Sequence, residues 1–466
     1  MPDKTLAQWI DSWRGVLEIS SAGDVTVKDA RRLRAEVMDV LARLAVFGSA
    51  QDKEKARVII WEAARQTGVR PASIQPLYEA MGRGAAGGFT VPAINVRGLA
   101  YDAARAVVAS VNRGGVGAFI FELARSEMGY TFQRPGEYLS VVTAAAVREG
   151  FEGPLFVQGD HYQVNATKYA AGGETRAAEI QAIKDLIEES IEAGYGNIDI
   201  DASTIVDLSK PTVKEQQRDN FTVSAELGAH VRRHEPREMT ISIGGEIGEV
   251  GGQNSTPEEL RAYMDGLLEE LARRSPAGTT WKGPSKVSVQ TGTSHGGVPL
   301  PDGTVAQVKI DFNVLREISE ISRKEYGMSG AVQHGASTLP LEAFDEFPRA
   351  GASEVHLATD FQNIVYDHPA FPQDLRREMY AWLDANCADE RKPGITPEQF
   401  YYKTRKKAWG PFKAQTWDVA EPARQQLRSA LEAKFDILFR KLNVAGTVGV
   451  VREHVRAPEV RKKVQG

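Results

Sequence analysis

From Thr90 onward, short apolar or β-branched runs alternate with longer amphipathic stretches, the trace that successive strand–helix units leave in a sequence. The runs at 91–96, 117–121, 155–158, 197–201, 240–245, 286–290, 330–333 and 354–357 predict eight strands. Apolar residues at helical spacing follow most of them, at 177–193, 257–271, 313–325 and 341–350. Eight such units over residues 89–367 match a closed (β/α)8 barrel in number and size. A doubly wound open sheet is the alternative, but no GxGxxG follows a first strand to support it.

The flanks read differently. In residues 1–88, Leu33, Val37, Leu41 and Leu44 keep helical spacing and a second apolar stretch covers 58–64, which predicts a helical extension with a packing or oligomerisation role. The glycine-rich run from Gly82 to Gly88 looks like a hinge or linker. Residues 368–466 form a C-terminal extension, with an amphipathic helix expected over 425–441 and a frayed last dozen residues. Its basic run 403–407 suggests a solvated face, or help with a substrate phosphate.

Composition narrows the class. The 466 residues are 42% hydrophobic and 26% charged, ordinary for a globular protein. A formal charge of −5 gives no electrostatic reason to expect nucleic acid or an anionic membrane as partner. The single cysteine, Cys387, excludes an internal disulfide framework and suits a reducing compartment. Without an apolar run long enough to span a bilayer or a secretory leader, the expectation is a soluble cytoplasmic protein.

Chemistry in such a barrel sits where strands end. Of eight histidines, His161, His295 and His334 fall at the ends of the third, sixth and seventh predicted strands, beside glycines. Each alone suits an ordinary core or loop position; together they converge on one rim. Three imidazoles with an open position are a usual arrangement of catalytic zinc, which can polarise a carbonyl oxygen. Asp160 directly precedes His161, so in an extended segment the two side chains should diverge. One would then bind metal while the other acts as general base, unless the carboxylate merely orients a histidine. Glu246 is a candidate fourth ligand or an inner-rim hydrogen-bonding group. Gly296, Gly335 and Gly351 leave backbone bare for a phosphate, and Ser337 and Thr359 follow strands seven and eight. All five equally suit turns and helix caps.

In order, Val-Pro-Ala-Ile-Asn95-Val, Gly-Asp160-His161, Ile-Asp201-Ala-Ser, Gly-Glu246-Ile-Gly-Glu-Val-Gly-Gly, Gly-Thr-Ser-His295-Gly, Gln-His334-Gly-Ala-Ser337 and Leu-Ala358-Thr359-Asp360 form a recognisable series. Over residues 89–362 the chain resembles the class II, metal-dependent ketose-bisphosphate aldolases. The resemblance implies a zinc-dependent barrel that reversibly cleaves a ketose phosphate, fructose 1,6-bisphosphate first among candidates. The products would be dihydroxyacetone phosphate and an aldehyde, formed through a metal-stabilised enediolate. It makes His161, His295 and His334 zinc ligands, Glu246 the additional ligand, and Asp160 the acid–base group at the C4 hydroxyl. Asp201 would lie near the metal, and Asn95, Gly296, Gly335, Ser337, Ala358 and Thr359 would line the substrate site.

Three positions depart from the family's pattern. His356 stands where an asparagine usually contacts the enediolate. Asn254, within Gln253-Asn254-Ser255, stands near the usual loop glutamate, for which Glu258 or Glu259 would be replacements. The lysine usual after the His295 motif is missing. Other functions open to the same scaffold are a metal-dependent sugar-phosphate isomerase or epimerase, and a non-catalytic barrel subunit partnering an aldolase. A homo-oligomer is expected.

Overall fold

Eight parallel strands close on themselves: β1 (Val91–Asn95), β2 (Ile120–Ala124), β3 (Gly153–Gln163), β4 (Asn197–Asp201), β5 (Ser242–Glu246), β6 (Lys286–Val289), β7 (Ala331–Gln333) and β8 (Glu354–Leu357). Each pairs with the next, and β8 returns to β1, giving the (β/α)8 barrel that the pattern predicts. The computed structural model describes residues 5–248, 253–292, 300 and 310–465. Every residue of β1, β2, β4, β5 and β8 is buried, as strands must be when helices cover one face and side chains fill the other. The expected strands are all present. β2 starts three residues later than its apolar run suggests, and β3 continues to Gln163. The expected helix at 341–350 is a 3-10 turn, Leu341–Asp345, followed by the short helix Glu346–Ala350.

The N-terminal extension is not helical throughout. A hairpin joins Leu17–Ile19 to Val25–Val27, and a further strand, Val69–Ala72, pairs in parallel with the first residues of β3. Phe156 faces β2 on one edge and Ala72 on the other, so this ninth strand occupies the β4 side, below the point where β4 begins to pair. Gly196 has no room for a side chain there, because a Cβ would lie 2.3 Å from the Ala72 carbonyl oxygen. The amide of Ile74 donates to Asn197 Oδ1 at 2.9 Å and the amide of Ser242 to Ser73 Oγ at 3.1 Å, fastening the segment across β4 and β5. Helix Gln75–Gly82 then sets the fully buried Tyr78 into the barrel floor, where its hydroxyl donates to Glu354. The run expected to be a linker starts tightly packed: a Cβ on Gly82 would meet Gly327 O at 2.1 Å.

The C-terminal extension wraps the barrel's outside. Helix Glu421–Lys441 lies along helix Ala100–Gly114, where Arg428 pairs with Asp102. The buried Trp409 fills the space over Gly98 so closely that a Cβ would sit 2.2 Å from its ring. The terminal residues are not frayed, since Val464 N donates to Gly23 O at 2.9 Å and Trp61 Nε1 to Val460 O at 2.8 Å. Apolar residues of barrel and extensions form one buried cluster. Among the described residues, no helix is long and apolar enough to cross a membrane.

Candidate active site at the strand ends

The C-terminal half of β3 builds the site through an irregularity. Its register against β4 shifts between Gly159 and Tyr162, so three steps on β3 match two on β4. The extra residue is a β-bulge, a device that re-aims side chains. His161 adopts a left-handed conformation within it, φ +40°, which costs a non-glycine residue about 1–3 kcal/mol. Gly159 is required because a Cβ would stand 2.4 Å from the ring of the buried Tyr162. Asp160 and His161 therefore do not diverge as in a regular strand. Both turn into the barrel mouth, with His161 Nε2 3.7 Å from Asp160 Oδ1.

Two further strand ends meet them. His334, after β7, places Nε2 3.5 Å from Asp160 Oδ1 and its ring 4.1 Å from that of His161. Glu246, closing β5, reaches His161 Nδ1 at 3.2 Å, and Asp201, closing β4, reaches the same nitrogen at 3.0 Å. Donor atoms of His161, Glu246 and His334 all lie within 4.8 Å of one another. Burial, followed by the nearby rings of His356 and His161, pushes His334 far below its usual pKa. Burial opposes a charge on His161, but Asp160 and Glu246 outweigh it and raise its pKa well above normal. Burial, then Asp201, lifts Glu246 to about 7. Two imidazoles and a carboxylate with donor atoms this close fit a divalent metal ion. His295 and Gly296 lie outside the described residues.

Below this mouth the barrel interior is ionic, where side chains of barrels are usually apolar. His356 on β8 lies 3.2 Å from Asp160 Oδ1, 2.9 Å from Glu122 Oε2 and 2.6 Å from Glu354 Oε1. Lys286 Nζ on β6, 1% exposed, donates to Gln158 at 2.7 Å and to Asp199 at 3.0 Å, and it also pairs with Glu354. Burial opposes ionisation of Asp160, yet His161 and His356 hold its carboxyl well below the usual carboxylate range. Burial, reinforced by Asp160, raises Glu122 to about 8. Sequence reasoning missed Glu122, Asp199, Lys286 and Glu354. The available signal was alternation: Gln158 and Asp160, Asp199 and Asp201, and Glu354 and His356 each share one strand face at spacing two.

Around the rim, Gly335 turns at φ +69° after His334, and Ser337 Oγ accepts from the amides of Ala358, at 2.7 Å, and Thr359, at 3.2 Å. These amides open helix Thr359–Asp367, so the expected phosphate residues converge on one helix N-terminus. Gly351, by contrast, ends helix Glu346–Ala350 before β8, at the far end of the strand, and serves as its C-cap. Asn95, buried at the end of β1, donates to Glu127, and its Oδ1 has no hydrogen-bond partner. Glu127 also pairs with Arg97 at 2.7 Å. Lys406 approaches from the C-terminal extension, its Nζ 5.9 Å from the centre of the Tyr130 ring, and burial together with Arg97 lowers its pKa. The basic run is thus only partly a solvated face: Lys403 is exposed, while Arg405 and Lys406 are drawn inward. Arg405 is buried against Asp367 and Asn363, and Lys407 pairs with Glu390. Asn254 is exposed, whereas Glu259 caps its own helix through Thr256 N at 2.8 Å.

Comparison with known proteins places the chain in a family. Residues 76–439 match the class-II fructose-bisphosphate aldolase family model, reaching further into both extensions than the sequence motifs do. No curated protein matches the chain by sequence. The fructose-bisphosphate aldolase of Campylobacter jejuni is 15% identical, covering 81% of this chain and 97% of its own, with a TM-score of 0.46. The fructuronate–tagaturonate epimerase of Cohnella laeviribosi is 12% identical, covering 92% of this chain and 89% of its own, with a TM-score of 0.56; that likeness is one of fold. The family match runs unbroken from the helix that floors the barrel to the long C-terminal helix, and on that extent the chain belongs to the class-II fructose-bisphosphate aldolase family.

Proposed function

We propose that this chain is a zinc-dependent aldolase that reversibly splits a ketose phosphate, fructose 1,6-bisphosphate first among candidates, into dihydroxyacetone phosphate and an aldehyde. One observation carries the reading: Asp160, buried and ionised, stands among three imidazoles beside the donor set of His161, His334 and Glu246. A divalent ion held there supplies Lewis-acid polarisation of the ketose carbonyl. Asp160 takes the proton of the C4 hydroxyl, the C3–C4 bond breaks, and the C4 oxygen becomes the carbonyl of the departing aldehyde. The bonding pair stays with the three-carbon half, which then needs a proton at C3. The amides of Ala358 and Thr359, now gathered on Ser337 Oγ, hold that half by its phosphate.

A second reading, a metal-dependent epimerase, is favoured by the acid supply. Asn254 offers no carboxyl group on the loop, Glu259 is engaged as a cap, and His356 touches Asp160 directly. A site that passes protons through Asp160 and His356 suits reclosure of the bond after the aldehyde turns over. Zinc-loaded protein should be given fructose 1,6-bisphosphate with a coupled assay for triose phosphate, and in parallel fructuronate, followed by NMR for tagaturonate. Triose phosphate release supports the aldolase; an epimer without release supports the second reading. Neither product at full zinc occupancy, across a panel of ketose phosphates and ketouronates, would sink both.

A further inference from the structure

A second cluster of metal-type donors lies far from the barrel mouth. His230 and His234 are four residues apart in helix Arg218–His234, which places their rings one turn apart on the same face, with centroids 4.3 Å from each other. Glu188, on the neighbouring helix Gly173–Ala193, puts Oε1 2.8 Å from His230 Nε2 and 3.6 Å from His234 Nε2. Both helices connect barrel strands, β3 to β4 and β4 to β5, and run antiparallel to them. The C-terminal turn that carries the histidines therefore lies at the end of the barrel opposite the active site.

The protonation pattern is fixed on one side. His234 Nδ1 lies 2.9 Å from the carbonyl oxygen of His230, and a carbonyl can only accept, so Nδ1 carries the hydrogen. Nε2, the atom left to act as acceptor, then faces a carboxylate oxygen of Glu188 at 3.6 Å. Two acceptors facing each other repel unless a proton or a cation lies between them. Lys184, one turn before Glu188, is already paired with Glu226 at 2.5 Å. The negative end of the helix dipole adds a favourable field for a cation.

We infer that Glu188, His230 and His234 form a second binding site for a zinc-class divalent ion, one that clips two outer helices together. Three ligands, His Nε2 twice and a carboxylate oxygen, leave a fourth tetrahedral position for water. Imidazole-rich donors select zinc, nickel, cobalt or copper over magnesium and calcium. The inference does not rest on the proposed reaction, since none of the three residues belongs to the active site.

Zinc alone is the probe, with bound metal measured by mass spectrometry after dialysis and located by anomalous scattering at the zinc edge. Wild type should hold one equivalent more than His234→Ala, whose target is half-exposed and tolerant of truncation. Zinc affinity at this site should fall by more than about a hundredfold in that variant, beyond the roughly 10–100-fold that loss of a merely orienting contact costs. His334→Ala should lose the other equivalent and keep this one, and zinc should still raise its Tm. Equal zinc uptake by wild type and His234→Ala, or no anomalous peak between the two helices, would overturn the site and show that a proton alone bridges the cluster. Loss of zinc from both sites in His334→Ala would also overturn it, because the two would then not be independent.

Discussion

At the scale of single residues, the decisive group is Asp160, because it touches three imidazoles and directly precedes His161, one of the candidate metal donors. Replacing it with alanine removes the proton acceptor while leaving the His161, His334 and Glu246 donors in place. Asp160→Ala should slow turnover by roughly two to four orders of magnitude with unchanged zinc content; near-normal rates would reduce Asp160 to orienting its neighbours. Lys286 tests the floor beneath it. Its ammonium is the cation between Asp199 and Glu354, so Lys286→Met strands two buried carboxylates. Breaking a buried pair from one side costs about 3–5 kcal/mol. A denaturant midpoint unchanged in Lys286→Met would mean that Tyr78, Gln158 and His356 already satisfy Glu354. At the rim, His161, Glu246 and His334 were legible because each stands within two residues of a glycine at the end of an apolar run. The interior was not, because a carboxylate inside a strand usually means a solvated face, and only ring closure shows that the alternating position points inward.

At the scale of elements, regular patterns were legible and irregular ones were not. All eight barrel strands follow from apolar runs, whereas Val69–Ala72 escapes notice because four residues containing Pro71 carry no alternation and resemble a loop. The bulge in β3 was invisible for a related reason: nothing in Gly159-Asp160-His161-Tyr162 announces an extra residue until the partner strand shows the register. Yet that extra residue delivers Asp160 and His161 to the same cavity. Its weak point is Gly159, whose missing Cβ accommodates Tyr162, itself pinned by a 2.5 Å hydrogen bond to Ser190. Gly159→Ala should displace the ring or flatten the bulge, destabilise the protein by about 1–3 kcal/mol as overpacked cores do, and weaken zinc binding by moving His161. Zinc affinity and stability both equal to wild type would show that the bulge does not depend on this close approach.

At the scale of the whole molecule, the extensions complete the barrel rather than decorate it. The N-terminal segment closes the floor with Tyr78, and the C-terminal one reaches the rim, locking Trp409 over Gly98 and bringing Lys406 toward Arg97. Glu127 faces both cations, and an anionic substrate group between them would be stabilised by the pair. The amides of Ala358 and Thr359 after β8 can hold one acidic end of a substrate, while Arg97 follows β1 and Lys406 meets Tyr130 in the helix that follows β2. A substrate with an acidic group at each end would engage both. Lys406→Met should therefore raise KM for such a substrate about tenfold or more while leaving kcat and zinc content near wild type, the scale of losing a charge-assisted hydrogen bond worth roughly 1.5–3 kcal/mol. A substrate acidic at one end only should show no such penalty. If the variant instead lowers kcat for both substrates alike, Lys406 supports the fold of the rim, and the C-terminal extension acts on the reaction only through Trp409 and the loop it covers.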